Sequence, residues 1–111
     1  MQRQHLACSL CWLLLAGVVP AGALAAPRGA VHTIVIDGML FVPAALTVKA
    51  GDTVVWKNRD AFPHTATSST KGFDSKAIGP GRSWKFRPSR RGQFGYQCTL
   101  HQSMKGVLTV E

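Results

Sequence analysis

Acid is what this chain has least of. Five Asp and Glu residues stand against 13 Lys and Arg, a formal net charge of +8 at pH 7. Charged residues make up only 16% of the chain and hydrophobic ones 46%, which excludes a disordered polyelectrolyte. Cysteine is also scarce. Three cannot all pair, so a disulfide-stapled miniprotein is excluded. There is no low-complexity tract, no heptad pattern and no repeat of solenoid length. No stretch carries an apolar stripe at helical spacing over three turns, which argues against a helical bundle. With 111 residues, one domain is expected.

The first segment reads as an export signal. Arg3 and the amino terminus precede an uncharged run, Leu6–Val19, rich in Leu, Ala and Val. Pro20 breaks that run, and Ala21-Gly22-Ala23-Leu24-Ala25 supplies the small residues that a signal peptidase reads. The expected cut follows Ala25, because a cut after Ala26 leaves Pro27 directly behind it. The competing reading is a retained anchor, since Leu6 to Pro27 is 22 residues without a charge. Lipoprotein processing at Cys8 or Cys11 fits poorly, because both precede most of the apolar run. Cleavage divides the chain into a signal, residues 1–25, and a mature domain, residues 26–111. Cys8 and Cys11 leave with the signal. Cys98 is then a lone thiol outside the cytoplasm, where an unoccupied thiol oxidises or pairs with another chain. A bound metal protects it and adds stability to a small core.

The mature part reads as about seven short strands. Val31–Ile36 is β-branched and ends at Asp37-Gly38, a turn pair. Leu46–Lys49, Thr53–Lys57, His64–Ser68, Ser83–Arg87, Gln93–Cys98 and Gly106–Val110 follow. Lys71–Gly81 reads as a long loop. Period-two alternation puts Trp84 and Phe86 on one face with Lys85 and Arg87 on the other, and aligns Phe94, Tyr96 and Cys98. Short strands with Gly and Pro punctuation point to an all-β antiparallel sandwich or barrel.

One segment carries chemistry. Cys98-Thr99-Leu100-His101-Gln102-Ser103-Met104 offers a thiol, an imidazole and a thioether within seven residues, spaced C-x2-H-x2-M. The turn after a strand can fold all three onto one point. His64, beyond the Thr53–Lys57 strand, reaches the same point if the two strands end on the same side. Two imidazoles and a thiolate with a long thioether bond form the blue-copper donor set. Zinc favours Cys or His over Met in the fourth place.

These residues sit in a wider match. Phe41-Val42-Pro43, Leu46-Thr47-Val48 and Gly51-Asp52-Thr53-Val54-Val55-Trp56-Lys57-Asn58, with Phe62-Pro63-His64 and the C-x2-H-x2-M loop, resemble the cupredoxins plastocyanin, pseudoazurin and amicyanin. The short loop is most similar to that of amicyanin. The resemblance covers nearly all of the mature part. It implies a Greek-key β-sandwich holding one type 1 copper that cycles between Cu(I) and Cu(II). It also implies ligation by the imidazoles of His64 and His101, the thiolate of Cys98 and, weakly on the axis, Met104. Two positions depart from the family. Thr65 stands where many members have an Asn that ties the histidine segment to the cysteine loop. Leu100 stands where many have Pro. The Thr65 hydroxyl is expected to take over part of the tie, with its N–H still aimed at the Cys98 sulfur.

The function that follows is a periplasmic mobile one-electron carrier and not an enzyme. The alternative is a periplasmic copper buffer or delivery protein using the same ligands. A Cys98–His101 nucleophilic pair lacks an orienting residue. A multicopper enzyme needs further His clusters, but beyond residue 25 the sequence has only His32, His64 and His101. His32 reads as structural, Met39 as packing, and Trp56, Trp84 and Phe94 as core. The expected partner is a redox protein docking on Leu100, Pro63 and Phe62 around His101. The basic residues Arg82, Lys85, Arg87, Arg90 and Arg91 would assist. Nucleic acid is not an expected partner, no membrane span is expected in the mature form, and a monomer is expected.

Overall fold

The computed structural model describes residues 16–17 and 29–111. The expected export segment, residues 1–25, lies outside these apart from Ala16 and Gly17, and so do Cys8 and Cys11. Eight strands follow: β1 (Val31–Asp37), β2 (Leu40–Val42), β3 (Ala45–Val48), β4 (Thr53–Asn58), β5 (Thr67–Ser68), β6 (Ser83–Phe86), β7 (Gly92–Gln97) and β8 (Lys105–Val110). They form two four-stranded sheets, ordered β2-β1-β4-β6 and β3-β8-β7-β5. Six of the seven expected strands are present, the one expected at His64–Ser68 is reduced to Thr67–Ser68, and β2 is added.

The strands are not all antiparallel, which corrects the expectation from their shortness and their Gly and Pro punctuation. β1 pairs with β4 and β3 with β8 in parallel, whereas β1–β2, β4–β6, β5–β7 and β7–β8 are antiparallel. The reason lies in how the chain divides one descending run between two sheets. It passes from β2 on the first sheet, through Pro43 and Ala44, to β3 on the second. That leaves the far edge of β1 free. β4 then rises along that edge in the same direction as β1.

The β1–β2 connection is a two-residue turn in which Gly38 and Met39 both have positive φ, 59° and 62°. A tight hairpin needs this backbone twist at both central positions, and glycine meets it without strain. Met39 meets it at a cost. Its side chain is 37% exposed, so it does not pack in the core as expected.

Alternate positions of the strands point inward. Ile34, Ile36, Val54, Trp56 and Leu108 are wholly buried, with Phe41, Val48, Phe73, Tyr96 and Val110 around them. Trp56 lies at the centre, its ring centroid 5.4 Å from Trp84, 5.5 Å from Phe73 and 5.6 Å from Tyr96. Trp84, Phe86 and Phe94 pack partly buried against this cluster. Burial of these rings out of water, with their edge-to-face contacts, is the main force holding the two sheets together.

The segments expected as a strand at His64–Ser68 and a loop at Lys71–Gly81 form one unit. Only Thr67 and Ser68 pair with β7. The rest of the first segment pairs irregularly with the second, through bridges His64–Ile78 and Thr67–Asp74. Residues 73–78 therefore form a strap that fixes the backbone of His64.

Candidate metal centre

β4 and β7 run toward the same end of the sandwich, so Asn58 and Cys98 emerge side by side there. The chain beyond β4 is held by Asn58, whose side chain is fully buried. Its amide donates to the carbonyls of Phe62 at 2.7 Å and Ile78 at 2.9 Å, and its oxygen accepts the Asp60 N–H at 2.9 Å. These bonds fold the chain back so that His64 points inward. His64 is paired through its backbone to Ile78 in both directions, at 3.1 and 2.7 Å.

The loop after β7 closes on itself. The Cys98 N–H donates to the Met104 carbonyl at 3.1 Å, and the Met104 N–H donates to the His101 carbonyl at 3.0 Å. Cys98 and Met104 are buried, and Leu100 at the tip is 52% exposed. One donor atom each from His64, Cys98 and His101 lie within 4.8 Å of one another. The imidazoles of His64 and His101 have centroids 5.0 Å apart.

Hydrogen bonding decides which nitrogen of His64 is free. Its Nε2 lies 2.8 Å from an Asp60 carboxylate oxygen. The Asp60 carboxyl is held below its ordinary range, first by the Met39 N–H, then by the Gly38 N–H and by His64, against the opposing effect of burial. An ionised carboxylate only accepts, so Nε2 carries the proton in the neutral ring. The lone pair is left on Nδ1, which lies 3.7 Å from Cys98 Sγ. This is the arrangement of a metal-ligating imidazole oriented by a carboxylate behind it.

His101 gives the complementary sign. Its Nδ1 is buried and has no hydrogen-bond partner. An orphaned buried nitrogen beside a thiol and a second imidazole lone pair is costly in a protein that binds nothing there. The donor set fits copper: one soft sulfur and two imidazoles converge, and the buried Met104 closes the same loop.

The tie expected from Thr65 is present. Its N–H donates to Cys98 Sγ at 3.3 Å, and its hydroxyl accepts the Thr99 N–H at 2.9 Å. His32 lies away from this cluster and pairs with Asp52 at 3.0 Å, in the structural role expected of it. No motif in the sequence points to Asp60 for this role. A D-x3-H spacing between Asp60 and His64 was its only mark, and in a non-helical segment that spacing has no periodic meaning.

Residues 6–110 match the family model described as Cupredoxin-like domain. The plastocyanin of Scenedesmus fuscus is 34% identical over 86 residues, which cover 66% of this chain and 88% of that protein. Amicyanin-alpha of Methylorubrum extorquens is 30% identical over 120 residues, covering 100% of both. A solved Cu(I) structure of an amicyanin variant superposes with a TM-score of 0.68 at 30% identity, covering 80% of this chain and 88% of that one. Among the described residues, no helix is long and apolar enough to cross a membrane.

Proposed function

The chain belongs to the cupredoxin family and carries a type 1 copper site, and on that premise we propose that it is an exported, mobile one-electron carrier. In this reading the signal is removed after Ala25, and residues 26–111 work in the periplasm. His64 Nδ1, His101 Nδ1 and Cys98 Sγ would hold one copper ion, with the Met104 thioether as a weak fourth donor. The convergence of three donors within 4.8 Å, with His101 Nδ1 otherwise unpartnered, carries the reading. Copper supplies the one-electron couple.

The protein's part is to hold the donors still while the charge changes. Each is braced: His64 by Asp60 and Ile78, Cys98 by Thr65 and Met104, the loop by its own turn bonds. A frame that does not rearrange keeps the barrier to electron transfer low. His101 is only half-buried, so its ring edge is the shortest way out for an electron. Leu100, next to it in the chain, and Phe62, two residues before His64, are 52% and 60% exposed. The hairpin tip, tied to Asp60 through Met39 N–H at 3.0 Å, brings Met39 and Leu40 to the same end. This apolar rim suits the small, transient interface of a redox encounter.

The basic residues divide along β6. Ser83 pairs with Lys57 near the copper end, while the Gly51 N–H bonds the Pro88 carbonyl at the other. In this reading Arg82 and Lys57, at the copper end, help a partner dock at His101. Arg87, Arg90 and Arg91 lie beyond the far end of β6.

An optical titration tests the reading. Cu(II) added to the mature chain is expected to give an intense thiolate-to-copper band at one copper per chain, absent in Cys98→Ser. No band from a folded protein with a reduced thiol would overturn it. Copper bound with slow metal exchange and fast electron self-exchange marks a carrier, and the reverse marks a buffer. Leu100→Glu is expected to slow partner electron transfer with the band unchanged.

A further inference from the structure

Behind the Thr65 tie runs a chain of hydroxyls that leaves the metal centre altogether. Thr65 Oγ1 lies 2.9 Å from Thr67 Oγ1, and Thr67 Oγ1 donates to an Asp74 carboxylate oxygen at 3.1 Å. Thr65 Oγ1 also lies 3.2 Å from Thr99 Oγ1 and accepts the Thr99 N–H at 2.9 Å. Each hydroxyl has one proton and two lone pairs, and an ionised carboxylate has only lone pairs. The directions are therefore settled by counting. Thr67 spends its proton on Asp74, so it accepts from Thr65. Thr65 spends its proton on Thr67, so both its lone pairs are left for Thr99, one for the N–H and one for the hydroxyl. Thr65 is then saturated, and every bond in the chain points from Thr99 to Asp74.

Asp74 is fixed at the strap's outer edge. It accepts the Lys76 N–H at 2.9 Å and the Lys76 ammonium at 3.1 Å, with its side chain 41% exposed. These contacts, the Lys76 N–H first, hold its carboxyl below the ordinary range and keep it an acceptor.

We propose that Thr67 and Asp74 are positioning residues of the metal centre, which polarise Thr65 Oγ1 and so clamp the peptide between Cys98 and Thr99. Donating to a carboxylate-terminated chain makes a hydroxyl oxygen a stronger acceptor toward the other side. The bond gained is the one that immobilises the backbone next to the sulfur ligand. The same clamp keeps the Thr65 N–H on Cys98 Sγ. Neither residue touches a ligand side chain, and neither was singled out by its spacing in the sequence.

The first test needs no copper. Amide hydrogen exchange is measured at Thr99 in the metal-free protein, with Val107 in β8 as internal reference. Thr67→Val keeps the shape and removes the link, and Asp74→Ala removes the terminus at a solvent-accessible position. Both are expected to speed Thr99 exchange by about twofold, the share by which the chain strengthens a bond that itself stays in place, with Val107 unchanged, whereas Thr65→Val, which removes the bond, speeds it about tenfold. Lys76→Gln, which leaves the carboxylate in place, is expected to leave Thr99 unchanged. If Thr65→Val speeds Thr99 exchange but Thr67→Val and Asp74→Ala do not, the proposal is overturned and the tie ends at Thr65. The second readout rests on the copper reading. In the loaded protein both variants are expected to lower the reduction potential, because a weaker N–H bond to sulfur leaves the thiolate a better donor to Cu(II). Failure to load copper defeats that reading and leaves the exchange result standing, whereas an unchanged potential in loaded variants tells against the clamp.

Discussion

Asp60 shows how much one side chain does at this site. It accepts from the Gly38 N–H at 2.7 Å, the Met39 N–H at 3.0 Å and His64 Nε2 at 2.8 Å. The first two bonds hold the left-handed turn of the hairpin; the third fixes the tautomer and the aim of the His64 ring. Asp60→Ala is expected to lower copper affinity by about 10–100-fold, the usual effect of removing a carboxylate behind a ligating imidazole. Competition with a calibrated chelator measures it. Affinity equal to that of the parent would mean that the Ile78 pairing alone orients His64. Cys98, His101 and Met104 were legible in the sequence because their spacing is local: one turn brings them together. His64 was legible as the end of a strand that reaches the same place. Asp60 was not, because its partners are the tip of another hairpin and a ring whose orientation no spacing expresses.

At the scale of elements, β7 and β8 meet at a pair that tolerates little change. Tyr96 lies opposite Gly106 in their antiparallel register, and its ring lies across the glycine. A Cβ on Gly106 would collide with Tyr96 Cζ and with its phenol oxygen. The ring has nowhere cheap to go. It contacts Trp56, Phe41 and Phe73, and burial pushes its phenol up to about 12. Gly106→Ala is expected to cost about 1–3 kcal/mol, the range for overpacking a well-filled core. It is read as a fall in the denaturation midpoint at constant m-value. No fall would show that the ring swings aside. Alternation exposed which faces of β6 and β7 turn inward, because that pattern is written in each strand by itself. It was silent on parallel pairing and on the strap at 73–78, because both depend on which distant edge remains free once the other strands are placed.

At the scale of the molecule, the scarcity of acid gains a meaning. Three of the five acidic residues, Asp52, Asp60 and Asp74, each gather several donors from separate segments. Asp52 does this at the end opposite the metal centre. It accepts the Ala30 N–H at 2.9 Å, the Lys49 N–H at 3.0 Å and His32 Nε2 at 3.0 Å, clasping the starts of β1 and β4 to the end of β3. The Lys49 N–H, then His32, hold its carboxyl below its ordinary value of 3.8. A carboxylate depressed in the folded state stabilises the fold fully at pH values above its unfolded pKa. That contribution is lost progressively as pH falls from the unfolded value to the lower, folded one, because in that window the unfolded chain takes up the proton and the folded chain does not. The same protonation removes negative charge from a chain already at +8, so self-repulsion grows as the clasps open. The thermal midpoint of the metal-free protein is therefore expected to stay level from neutral pH down to about 5 and to fall steeply below the 3.8 of an ordinary aspartate. Asp52→Asn is expected to melt lower at neutral pH, to fall less steeply in acid and to converge on the parent at the lowest pH. Circular dichroism melts of both proteins across that range measure it. Parallel curves would remove Asp52 as a source of the acid sensitivity and leave the accumulated positive charge to account for it.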